Sequence, residues 1–165
     1  MARPIRVWPV VGAFILAVAL EIAPLPDALQ LFRPPLTVMV MIYWAMMWPE
    51  RVGVTTAFFI GIALDLLHGQ LLGQNALALT AVTYLTLRFH LQIRIFPLWQ
   101  LTMTVLALLL VDAFLQWLTD GIAGIPSTGW ARGVQALTGA LLWPVVMGIM
   151  DRLRQQVEYG NPNFN

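Results

Sequence analysis

The chain contains no cysteine and no lysine, a single serine and two histidines among its 165 residues. Without cysteine there are no disulfides and no thiolate metal sites, and redox chemistry gives no clue to compartment. The lone serine, Ser127, lies in the loop "GIPSTG", and only His68 falls on its side of the chain, which leaves a serine hydrolase without a triad. His68 and His90 are assigned to opposite faces, so no histidine cluster exists for a metal. No phosphate-binding glycine loop ending in lysine and no His-Glu-x-x-His helix occurs, and no catalytic, cofactor or metal site is expected. A net charge of +1 excludes an electrostatic nucleic-acid partner.

What the chain does have is apolar surface. Hydrophobic residues make up 59% of it and the mean hydropathy is +0.77, far from a soluble globular composition. A spanning helix needs roughly 20 residues, so the apolar runs at 7–23, 36–48, 53–72, 75–91, 98–118 and 132–150 predict about six transmembrane helices. The fold class is an all-α polytopic membrane protein, with residues 1–156 as one transmembrane domain and 157–165 as a polar, disordered tail. The first run is flanked by Arg3 and Arg6 but lacks a small-residue cleavage site, and reads as a span. Pro24, Pro26, Pro34, Pro35, Pro49 and Pro97 fall at the expected helix ends.

Arginines set the orientation. With both termini inside, Arg3, Arg6, Arg51, Arg88, Arg94, Arg152 and Arg154 are cytoplasmic, and only Arg33 and Arg132 lie outside. The cytoplasmic arginines also suit anionic lipid headgroups. The seven tryptophans sit mostly near predicted span ends, as an interfacial aromatic belt requires.

The third span carries the most informative pattern. Gly53, Ala57, Gly61, Asp65, Gly69 and Gly73 recur every four residues and so share one helix stripe. Small residues at that spacing let transmembrane backbones approach closely, so the stripe is a helix-packing or partner-interface candidate. An ionised carboxylate facing lipid costs on the order of 3 kcal/mol, which turns Asp65 toward protein. Asp112 of the fifth span lies at similar depth, and a polar site shared by the two acids is possible. Two roles stay open for Asp65: a structural acid, bonded to a neighbouring helix or capping the glycine-rich turn, or a residue at a partner interface. An intramembrane aspartyl protease does not fit, because the residues before Asp65 read "GIAL" where Gly-x-Gly-Asp is needed. Arg33, held between Phe32 and Pro34 on the outer face, is a candidate for partner contact.

Taken in order, several fragments resemble the MreD family of rod shape-determining proteins. They are "PLPD" at Pro24 to Asp27, "FRP" at Phe32 to Pro34, "YW" at Tyr43 and Trp44, and "P-x-R-V-x-V" from Pro49 to Val54. "G-x-x-L-D-L-L-x-G-x-x-L-G" from Gly61 to Gly73 follows, then "LWQ" from Leu98, "VD" at Val111 and Asp112, "LWP" from Leu142 and "RQQ" from Arg154. The loop "TDGIAGIPSTGW" and the residues after Gln156 follow no family pattern.

The resemblance implies a non-catalytic scaffold subunit of the bacterial cell-elongation complex in the inner membrane. Its direct partner would be MreC. The RodA glycosyltransferase, a class B penicillin-binding transpeptidase and the actin-like MreB would be further members of the complex. The family is also similar in architecture to the substrate-binding S-components of energy-coupling-factor transporters, which supplies the rival expectation of a vitamin-type transporter subunit.

Overall fold

The structure, a computed structural model, describes residues 8–24, 26–69, 71–126 and 129–159, except for the side chains of residues 27, 28 and 156–159. Arg3 and Arg6 lie outside the described residues. The described chain is all helix and turn: α1 (Trp8–Ile22), a single turn α2 (Asp27–Gln30), α3 (Leu36–Met47), α4 (Val54–His68), α5 (Gln74–Ile93), α6 (Leu98–Ile122) and α7 (Gly129–Tyr159). Pro35 and Pro97 stand immediately before α3 and α6, where the ring removes a donor the helix does not need.

The bundle is built around α3. From Thr37 to Met46 every residue of that helix is buried, and α1, α5, α6 and α7 all pack against it. At 12 residues it is about 18 Å long, shorter than a bilayer core of about 30 Å. Its neighbours rather than lipid surround it. α4 stands at the edge and packs chiefly on α5. α6 and the stretch of α7 from Gly129 to Gln155 are long and apolar enough to cross a membrane, and α1, α3 and α4 are shorter apolar helices.

The outer surface is apolar where a soluble protein would be polar: Ile15 is 65% exposed, Phe59 66% and Leu141 78%. Continuous apolar exposure of this kind suits lipid contact. Polar groups are instead drawn inside, with Thr37, Asp65, Gln74, Thr83, Asp112 and Asp120 all buried.

Two sequence expectations need correction. The third span ends at His68, not at 72, because Gly69 takes the left-handed conformation (φ +62°) that closes the helix. Trp44 and Trp143 are fully buried in the bundle with no partner for Nε1 among the described residues, whereas Trp8, Trp99 and Trp130 are exposed as belt residues would be. α7 ends at Tyr159, and residues 160–165, the greater part of the expected tail, lie outside the described residues.

Candidate functional site

Asp65 sits in the last turn of α4, 1% exposed, opposite the start of α5. Gly73, in a left-handed conformation at φ +101°, precedes α5 and supplies no side-chain cap. The first N–H groups of that helix would therefore be orphaned. The Asp65 carboxylate takes their place: Oδ2 accepts from Gly73 N at 2.8 Å and Oδ1 from Asn75 N at 2.8 Å and Asn75 Nδ2 at 2.9 Å. A longer bond of 3.4 Å runs from Ala76 N to Oδ2. A negative charge at a helix N-terminus also meets the favourable end of the dipole. Asp65 is a cap supplied across a turn by the preceding helix.

The same junction uses Gly61. A Cβ at that position would lie 2.6 Å from Ala76 N, so α4 and α5 approach backbone to backbone there. Ala57 is fully buried. The rest of the predicted stripe serves differently: Gly53 caps the start of α4, with open space around it, and Gly69 and Gly73 form the turn. α4 thus presents Ala57, Gly61 and Asp65 inward.

A cavity of about 250 Å³ opens at this end of the bundle, lined by Glu21, Arg33, His68, Asn75, Asp112 and Arg132 among others. Six helices, α1 and α3 to α7, and the loop before α3 contribute to it, and most of its polar groups are tied to one another. Thr37 Oγ1 donates to Glu21 Oε2. Arg33 Nη2 donates to the carbonyls of Leu20 and Ala23, capping the C-terminus of α1 with positive charge. On the facing side, Arg132 pairs with Asp120 and donates to Gln116 Oε1. Gln116 Nε2 passes the chain on to Asp112 Oδ2 at 2.8 Å. Gln74 Nε2 completes it with a 2.7 Å bond to Asp120 Oδ1. Two atoms are left over among the described residues: Asp112, 4% exposed, has no donor for Oδ1, and Arg33 has no acceptor for Nε.

The two acids do not form one site. Asp112 lines the cavity while Asp65 is turned to the α5 terminus, and Asn75, which binds Asp65 and lines the cavity, stands between them. Arg33 lies in the cavity wall and caps α1. Glu21, Gln74, Gln116, Asp120 and Arg132 are site residues that the sequence reading passed over. For Gln116 and Asp120 a signal existed, their spacing four apart from Asp112 in an apolar helix; Glu21, Gln74 and Arg132 carry none. No group of three metal-ligating side chains occurs among the described residues.

An all-helical bundle with an apolar exterior and a buried polar cluster defines a membrane protein. Comparison with known proteins narrows this: the model of the rod shape-determining protein MreD family matches residues 2–153, and the chain belongs to that family. Among curated relatives, the rod shape-determining protein MreD of Haemophilus influenzae is 29% identical over 151 residues, covering 92% of this chain and 93% of the relative. No solved structure matches. Membership places the protein in rod-shape determination, in a family whose characterised role is not that of an enzyme.

Proposed function

We propose that the protein is a non-catalytic scaffold of the cell-elongation complex, spanning the inner membrane with six helices and both termini in the cytoplasm, and that it binds MreC. Through MreC it would be linked to the RodA glycosyltransferase, a class B penicillin-binding transpeptidase and MreB. The family match over almost the whole chain carries this reading. The seven-to-two division of arginines supports the orientation.

The small-residue face of α4 is already occupied by α5, so the MreC helix needs another seat. A groove of about 750 Å³ runs beside it, lined by Val54 and Phe58 of α4 and by Ala76, Leu77, Ala81 and Tyr84 of α5. Its small floor residues favour close helix approach. Thr80 Oγ1, in the same groove, is buried without a hydrogen-bond partner among the described residues. Interhelical hydroxyl bonds of this sort add to van der Waals packing in lipid. A single spanning helix from MreC fits both properties.

The rival reading, a vitamin-type transporter subunit of S-component architecture, draws on the polar cavity. At about 250 Å³ that cavity falls below the roughly 300–1,000 Å³ of sites for drug-sized ligands, which favours the scaffold. Co-purification in detergent with MreC from the same organism, against an unrelated single-span protein, tests it. Selective, stoichiometric recovery of MreC is expected; recovery equal to the control would overturn the proposal.

A further inference from the structure

We propose that the cavity lined by α1 and α3 to α7 is a binding site for an organic ammonium group. The proposal does not depend on the scaffold reading. It starts from charge. Arg132 is neutralised by Asp120, and the remaining ionisable side chains of the wall, apart from His68, are Glu21, Asp112 and Arg33, two acids against one base. Arg33 points its Nη2 at the carbonyls of α1 and makes no ion pair with either acid among the described residues. An acidic excess in a partly enclosed site favours a cation, because an ionised carboxylate buried without a partner is expensive.

Valence points the same way. Gln116 fixes Oδ2 of Asp112 and leaves Oδ1 as a buried acceptor without a donor among the described residues, and Arg33 Nε is likewise a buried donor without an acceptor there. Each such group needs an explanation in a folded protein. An ammonium supplies up to three N–H donors, which matches the acceptors that Asp112 Oδ1 and the Glu21 carboxylate bring to the same cavity. A metal ion suits the site poorly, since no three ligating side chains converge there among the described residues. The volume accommodates a solute of about amino-acid size or the end of one side chain, so the ammonium comes either from a free amine or from a lysine of a membrane partner.

The test is thermal unfolding of the protein in lipid nanodiscs with ethylammonium chloride, N-acetyl-lysine methylamide, sodium acetate or sodium chloride at matched ionic strength. Ethylammonium is expected to raise the midpoint saturably, by about 2–4 °C, while sodium acetate matches sodium chloride. The gain should vanish in Asp112→Asn; if that variant does not fold, Glu21→Gln carries the same expectation. A response to the lysine derivative at lower concentration than to ethylammonium identifies a partner side chain as the source, and the reverse order identifies a free solute. No gain above sodium chloride from either ammonium probe, or an equal gain in the carboxamide variants, overturns the proposal.

Discussion

Asp65 and Asn75 are joined twice: one carboxylate oxygen of Asp65 receives both the backbone N–H and the side-chain amide of Asn75. This pair fixes the angle at which α5 leaves the turn after α4. The end of α4 and the start of α5 therefore stand or fall together.

Asp65→Asn keeps one acceptor for the Asn75 donors but places an NH₂ group against Gly73 N. It is expected to lower stability by about 1–2 kcal/mol, and Asp65→Leu, which leaves every donor unpaired, by about 3 kcal/mol or more. Equilibrium unfolding in mixed micelles measures both. Equal losses would mean that the cap is not what the carboxylate contributes.

Gly61→Ala forces a methyl into the backbone of Ala76 and is expected to cost about 1–3 kcal/mol. Gly148→Ala, which meets open space in the middle of α7, should be neutral or gain up to about 1 kcal/mol from helix propensity. The same unfolding assay decides, and a harmless Gly61→Ala would remove the close α4–α5 contact from the account.

Asp120 holds Arg132 and Gln74 at once. Asp120→Leu alone strands the Arg132 charge in a half-buried setting and is expected to cost about 3 kcal/mol. Adding Arg132→Met should recover part of it, giving a coupling of about 1–3 kcal/mol in a double-mutant cycle. Strict additivity would show that the pair is solvated and contributes little.

The absence of cysteine makes orientation directly measurable. A single cysteine replacing Ala123, in the turn after α6, is expected to react with an impermeant maleimide in cells whose outer membrane alone is opened. One replacing Glu50, between α3 and α4, should react only after the inner membrane is breached. The opposite pattern would invert the topology.

The long apolar helices α6 and α7 were legible because their length and composition suffice without tertiary context. The third span was overrun because a glycine ending a helix and a glycine packing within one look the same at a four-residue spacing, and Gly69 is the former. Trp44 and Trp143 read as belt residues for a related reason: proximity to a helix end says nothing about which side faces the bundle. Asp65 was assigned inward from cost alone, yet its partners, apart from the Asn75 side chain, are backbone amides before and at the start of α5 and leave no side-chain signature. The cavity was the least legible feature, since Glu21, Arg33, Asp112 and Arg132 come from separate segments that only packing unites. Within α6, though, Asp112, Gln116 and Asp120 lie four apart, a polar stripe that the sequence holds and the span drawn to 118 cut short.

The central claim, that a helix of MreC lies in the groove between α4 and α5, is tested most directly by photo-crosslinking in living cells. The account predicts that a photoreactive residue at Ala81 or Leu77 captures MreC, and that one at Leu141, exposed on α7, does not. Capture from Leu141 with none from the groove positions would contradict it.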